Sequence, residues 1–242
     1  MVTTLCFDFG NTRKKVAVFH DAELKEAITL QDDMDETIQS LIRQFKPDKS
    51  ILSSVIDHNP SVDDFLKAAT KFHRLNHYTK LPFTTPVGKP ETIGADRLAL
   101  AAAAVYFHQE KNNLVIGLGT CITYNFINKY HEFIGGGISP GLEMRLKSLN
   151  YYTAKLPLVK ADSNVPLIGY DTVTNITSGV VLGMAKEIDG FIDAYHDKYS
   201  NFNVLLTGGD IVYLASHLKS KIFADPDLIF KGLYAISEVN NP

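Results

Sequence analysis

Asp8, Gly10, Asn11, Thr12 and Lys15 crowd into one short stretch near the start of the chain. Together they offer the groups that hold a phosphate. A glycine turn exposes backbone N–H donors, Asn11 and Thr12 add side-chain donors, and Lys15 adds a charge. The Asp8 carboxylate suits a hydrated Mg²⁺ bridging phosphate oxygens. The same residues also fit a plain hairpin with an Asx-type turn. A second stretch, Gly117-Leu-Gly-Thr-Cys-Ile-Thr123, repeats the strand into Gly-Thr pattern and places Thr120 at its turn. Two such turns could grip a polyphosphate from both sides. Gly94-Ala95-Asp96-Arg97 opens a helical stretch. Asp96 there is either a first-turn carboxylate favoured by the helix dipole or a base accepting a hydroxyl proton during phosphoryl transfer. Arg97 would then hold an anionic substrate group through paired hydrogen bonds.

Two further glycine motifs, Gly135-Gly-Gly-Ile-Ser-Pro-Gly141 and Thr207-Gly-Gly-Asp210, suit close backbone approach of a nucleotide or simply sharp turns. The eight histidines show no metal-ligand spacing. A Walker-type Gly-Lys-Ser/Thr loop and a protein-kinase signature are both missing from the sequence, so ATP would have to be handled by the two turns.

Those groups need strands to carry them and helices to back them. Thr4–Gly10 and Lys15–His20 read as a hairpin. Met34–Phe45 and Asp63–Phe72 have helical spacing, Lys49–Ile56 reads as a buried strand, and Leu81–Pro90 is a Pro-rich loop. Asp96–Lys111 reads as an Ala- and Leu-rich helix. The pattern then restarts, with strands at 113–119, 122–127 and 133–138 and helices at 142–151 and 175–199. A strand at 202–206 and a helix at 228–239 close the chain. Both halves thus begin strand, glycine turn, strand, which predicts two α/β domains, 1–112 and 113–242, with the ligand in the cleft between them.

Composition excludes several classes. Of 242 residues, 24 are Lys or Arg and 27 are Asp or Glu, giving a net charge of -3. With no basic patch, nucleic acid is not an expected partner. No apolar run approaches the roughly 20 residues that span a bilayer, and the N-terminus lacks a signal-peptide pattern, so no membrane is expected. Cys6 and Cys121 read as small buried thiols. The expected location is the cytoplasm.

Taken in order, Asp8-x-Gly-Asn-Thr-x-x-Lys15, Gly94-Ala-Asp-Arg97, Gly119-Thr-Cys-Ile-Thr123, Gly135-Gly-Gly-Ile-x-Pro-Gly141, Thr153-Ala-Lys-Leu-Pro157 and Thr207-Gly-Gly-Asp210 resemble the successive motifs of type III pantothenate kinases. The resemblance implies two RNase H-like halves of the actin-like ATPase superfamily, each a mixed sheet flanked by helices, and a homodimer. It implies transfer of the ATP γ-phosphate to the primary hydroxyl of pantothenate, the first step towards coenzyme A, with Mg²⁺ and a monovalent cation (K⁺ or NH₄⁺). Asp8 would organise Mg-nucleotide through water. Gly10, Asn11, Thr12, Lys15 and Thr120 would contact the phosphates. Val87, Gly94, Ala95, Asp96 and Arg97 would border pantothenate, with Asp96 as the base, and Thr172 would reach substrate from the second half.

Three positions depart from the family pattern. Gly117 stands where an aspartate associated with the monovalent cation is usual, and offers no side-chain ligand. Asn125 replaces a second aspartate. Val87 replaces a tyrosine, a lost neutral hydrogen bond being worth on the order of 1 kcal/mol. Two alternatives stay open: a catalytically impaired regulatory or nucleotide-binding protein of the same fold, and a kinase for another small hydroxylated acceptor.

Overall fold

The computed structural model describes residues 1–86 and 88–241. In chain order the elements are β1 (Thr3–Phe9), β2 (Lys14–His20), β3 (Glu23–Leu30), α1 (Asp35–Phe45), β4 (Lys49–Ser54), α2 (Ser61–Ala69), β5 (Lys71–Arg74) and α3 (Ala95–Phe107). They continue with β6 (Asn112–Leu118), β7 (Cys121–Ile127), β8 (Phe133–Pro140), α4 (Leu142–Tyr151), α5 (Thr172–Lys198), β9 (Phe202–Thr207), α6 (Ile211–Leu214), β10 (Phe223–Ala224) and α7 (Leu228–Asn240). The chain divides into two units. One comprises Met1–Glu110, Tyr130–Ile134 and Asp227–Pro242, and the other Lys111–Lys129 and Gly135–Pro226.

Each unit holds one five-stranded sheet, in the orders β3-β2-β1-β4-β5 and β10-β9-β6-β7-β8. The leading strand of each, β1 or β6, pairs antiparallel with the next strand and parallel with a later one, β4 or β9. Read outward from β8, the second order repeats the first. The two sheets are mixed and flanked by helices, as the resemblance implies, and the duplication lies in the topology.

In the first unit, period-2 alternation sorts β1 into two faces. Leu5, Phe7 and Phe9 join Val16, Val18, Leu52 and the α1 and α2 residues Ile38, Leu41, Val62 and Leu66 in one core. Cys6 and Asp8 therefore lie on the opposite face, where α7 packs on β1 and β4 and α3 packs on α7. α3 contributes fully buried Ala99, Ala101, Ala102, Ala103 and Ala104. Such small side chains let another helix come close: a Cβ built on Gly232 of α7 would stand 1.8 Å from the Ala99 carbonyl oxygen. Gly232→Ala is therefore expected to destabilise the protein by about 1–3 kcal/mol, the cost of overpacking outweighing the better helix propensity of Ala. A urea-denaturation midpoint that rises would contradict this close approach.

In the second unit, Leu114, Ile116 and Leu118 share a core with Ile122, Tyr124, Phe126 and the α5 residues Ile176, Val180, Val181, Met184, Ile188 and Ile192. That leaves Gly117, Thr123 and Asn125 on the other face of the sheet.

The structure corrects several sequence-based expectations. β3, β5 and β10 appear where no strand is expected. Phe65, Ala69 and Phe72 have helical spacing, yet the helix stops at Thr70, whose backbone is extended and whose hydroxyl bonds the Leu66 carbonyl at 2.8 Å. Phe72 then lies on β5. Cys6 is buried as expected, whereas Cys121 is only partly so. Among the described residues no helix is long and apolar enough to cross a membrane.

Candidate active site

The first unit assembles one group of the predicted residues. The β1–β2 hairpin ends in the loop 10–13, closed by the Gly10 N–H donating to the Arg13 carbonyl at 3.0 Å. Asn11 and Thr12 are exposed at its tip. Asp8 is the penultimate residue of β1 and sits directly across from Lys15 on β2. Asp8 points to the α3 and α7 side, within electrostatic range of Asp96 in the first turn of α3. Burial and the Asp96 carboxylate push the Asp8 carboxyl up to about 6, with Lys15 pulling the other way.

Gly94 is the N-cap of α3 and makes no side-chain capping hydrogen bond, and Ala95 and Asp96 open the helix. Arg97 lies with its guanidinium 5.5 Å from the Phe133 ring centroid. Phe133 is held in turn by the Pro-rich loop: its N–H donates to the Thr84 carbonyl at 2.8 Å, and the Thr85 hydroxyl donates to its carbonyl at 3.0 Å. Val87 lies outside the described residues.

These groups fit a magnesium-bound nucleotide. Two nearby carboxylates, one of them raised, leave negative charge that a cation would relieve, and hard oxygens are the donors Mg²⁺ prefers. Among the described residues no cluster of three or more His, Cys, Asp or Glu is arranged to hold a metal. Mg²⁺ characteristically uses only one or two carboxylates and takes its other ligands from phosphates and water.

The second unit carries the other turn, Gly119-Thr120, both residues exposed. It is braced from two sides by the glycine motifs. The Gly141 N–H donates to the Thr120 carbonyl at 3.0 Å, and a Cβ at Gly141 would stand 2.0 Å from the Gly119 oxygen. Gly208 has φ +106, and a Cβ there would stand 2.0 Å from the Leu118 oxygen. These glycines thus shape the Thr120 turn by letting backbone pack on backbone.

Sequence reasoning passed over the residues that anchor this bracing. Arg145 of α4 donates to the Pro140 carbonyl at 2.8 Å and the Ser139 hydroxyl at 2.9 Å, and pairs with Glu187 of α5. Tyr124 donates to the same Glu187 at 3.2 Å. A charged pair on α4 and α5 therefore fixes the strand end that leads into Gly141. The Arg and Glu lie outside every glycine motif, so only their mutual contact reveals them.

Gly117 pairs with Thr123 across β6 and β7. Asn125, fully buried, donates its amide to the Val115 carbonyl at 3.2 Å and the Thr123 hydroxyl at 3.2 Å. Thr172 is the first residue of α5 and is exposed, next to the N-cap Asp171, which accepts from the Thr174 N–H at 2.7 Å.

A sequence model of the type III pantothenate kinase family matches residues 4–194. Among curated relatives, a type III pantothenate kinase of Christiangramia forsetii is 41% identical over 238 residues, 98% of each chain. Among solved structures, a Campylobacter jejuni protein described as a conserved Baf family transcriptional activator superposes with a TM-score of 0.60 at 25% identity, covering 98% of each chain. A ROK family glucokinase of Streptomyces griseus, solved with glucose and AMPPNP, has a TM-score of 0.54 at 10% identity over 98% of each chain, which shows a shared fold alone. Two sheets of one topology, a carboxylate pair at the end of β1, and near full-length likeness agree: this chain belongs to the type III pantothenate kinase family.

Proposed function

We propose that the chain transfers the γ-phosphoryl group of ATP to the primary hydroxyl of pantothenate, giving 4'-phosphopantothenate and ADP, the first step of coenzyme A synthesis. The observation that carries this reading is the meeting of Asp8 and Asp96 beside Lys15 and the 10–13 turn. Asp96 accepts the hydroxyl proton as the pantothenate oxygen attacks the γ-phosphorus and the bond to the ADP oxygen breaks. Arg97 holds the substrate carboxylate, with Gly94 and Ala95 beside it. The Gly10, Asn11 and Thr12 donors and Lys15 hold the phosphates, and Asp8 would hold Mg²⁺. When bound beside Asp8, Mg²⁺ would supply positive charge to offset that of the transferred phosphoryl group.

The oxygens around Asn125 are engaged by its amide, and Gly117 supplies no ligand. We therefore read the reaction as independent of K⁺ and NH₄⁺ in this chain.

Gly94 offers a sharp test of Asp96. A Cβ there would stand 2.6 Å from Asp96 Oδ1 with nothing else close but the same carboxyl group. The Gly94 backbone, at φ -58 and ψ 143, suits any residue. Gly94→Ala should thus displace the carboxylate and lower kcat at least about tenfold, since small misplacements of reacting groups cost that much or more. The unfolding free energy should stay within about 1 kcal/mol of wild type.

We further propose a homodimer in the cytoplasm. Tyr151, Tyr152, Leu158, Leu167, Ile168 and Tyr170 are all 60% or more exposed within one stretch of the second unit. Apolar surface so concentrated is characteristic of an interaction site, and Thr172 adjoins it. Sedimentation should give twice the chain mass, and Leu167→Asp with Ile168→Asp should give the single-chain mass. A wild-type monomer would overturn this assignment.

The proposed activity is tested by incubating the protein with MgATP and a panel of small hydroxylated acceptors, followed by mass spectrometry. Phosphorylation of pantothenate alone is expected. Phosphorylation of another acceptor would reassign the substrate, and nucleotide binding without any phosphorylated product would favour a regulatory role.

A further inference from the structure

A line of four polar side chains runs behind the 10–13 turn and is unused in the chemistry above. Ser54 ends β4 and lies in parallel register with Phe9, the residue between Asp8 and Gly10. The Ser54 hydroxyl is 3.0 Å from His58 Nδ1, and His58 Nε2 is 3.2 Å from Asp63 Oδ1. The other oxygen of Asp63 accepts from Arg74 at 3.1 Å. The His58 side chain is only 4% exposed, and its ring meets Phe9 edge-on, with centroids 5.5 Å apart and planes at 78°. The Val55 N–H donates to the Phe9 carbonyl at 3.1 Å.

The same loop is tied to the second strand of the hairpin. Asp33 accepts from Lys14 at 2.7 Å and from the Asn59 N–H at 2.8 Å. Residues 55–59 are therefore fastened both to the end of β1 and, through Asp33, to the start of β2. A buried histidine and carboxylate contribute less to stability than apolar side chains of the same volume would. What such a chain supplies is a fixed geometry, because every member has its partner.

We infer that Ser54, His58, Asp63 and Arg74 form a positioning relay that sets the end of β1, and with it the amides of the 10–13 turn, for binding the phosphates of ATP. His58 is the central positioning residue. This rests on reading that turn as the phosphate site. The relay acts on the nucleotide and leaves the Gly94–Arg97 end alone, so it should alter nucleotide affinity selectively.

The test uses the full chain with three substitutions, His58→Asn, His58→Gln and Asp63→Asn. Isothermal titration measures binding of the magnesium complex of a non-hydrolysable ATP analogue, and steady-state kinetics gives both KM values. Asn keeps a polar atom where Nδ1 faces Ser54, and Gln keeps one where Nε2 faces Asp63. His58→Gln and Asp63→Asn are expected to lose tenfold or more in nucleotide affinity, with the KM for pantothenate within twofold of wild type. His58→Asn, retaining the contact next to Phe9, should recover affinity to within about threefold. Nucleotide affinities within twofold of wild type in the Gln and Asp63 variants would overturn the relay. So would equal changes in both KM values, the mark of general loosening. A wild-type protein that binds no nucleotide would overturn the phosphate-turn reading and the relay together.

Discussion

Asp96→Asn should lower pantothenate-dependent turnover by about 10²–10⁴-fold, the usual worth of a positioned general base. The amide is nearly the same size and keeps the first turn of α3 intact, but it cannot accept a proton from the substrate hydroxyl. Nucleotide binding should survive, because the 10–13 turn and Lys15 are untouched. Removing the Asp96 charge also removes one of the two causes that raise the Asp8 carboxyl. The variant should therefore be no less stable than wild type at neutral pH. Turnover within tenfold of wild type would remove Asp96 as the base.

Asp8→Asn is expected to abolish useful turnover and yet stabilise the protein. The sign follows from the raised carboxyl. Asp8 titrates at about 6 in the folded chain against a usual value of 3.8. The folded state thus holds its proton more tightly than the unfolded chain does. That advantage is complete below about pH 4 and is lost as pH rises through 6. Above pH 6 the ionised side chain costs folding on the order of 2–3 kcal/mol, at about 1.4 kcal/mol for each pKa unit. Asparagine carries no such cost. The melting temperature of Asp8→Asn should exceed that of wild type by roughly 5–10 °C at pH 7, a chain of this size gaining a few degrees per kcal/mol. The difference should shrink to near zero at pH 4. Added MgATP should raise the melting temperature of wild type and do much less for the variant, since only a ligand that binds the folded state shifts it. A variant less stable than wild type at pH 7 would contradict the electrostatic reading of this pair. Destabilised active-site groups of this kind are the common cost of function.

The residues that meet in the first unit could be named from the sequence, because Asp8, Lys15 and Asp96 each sit in a short motif at the end of a strand or the start of a helix. The repulsion between the Asp8 and Asp96 carboxylates could not. It depends on the face of β1 that α3 covers, and nothing local to Asp8 reports where the Asp96 helix packs. The strands that went unread have their own physical reasons. β3 is an edge strand whose sequence, Glu-Leu-Lys-Glu-Ala-Ile-Thr-Leu, is mostly exposed and only weakly alternating. β5 hides behind the helical spacing of Phe65, Ala69 and Phe72, which tertiary pairing with β4 overrides. The return of α7 to the first unit leaves one trace, the match of Gly232 to an Ala-rich helix, and that is visible only once both helices are in place. The glycine motifs were legible as turns, but their role as braces for Thr120 lies in contacts across the sheet.

The most direct test of the central claim is ADP release by the purified wild-type protein with MgATP, with and without pantothenate, in sodium and then in potassium buffer. Release that requires pantothenate and runs at the same rate in both buffers is the expected result. ATP binding with no pantothenate-dependent release in either buffer would contradict the account.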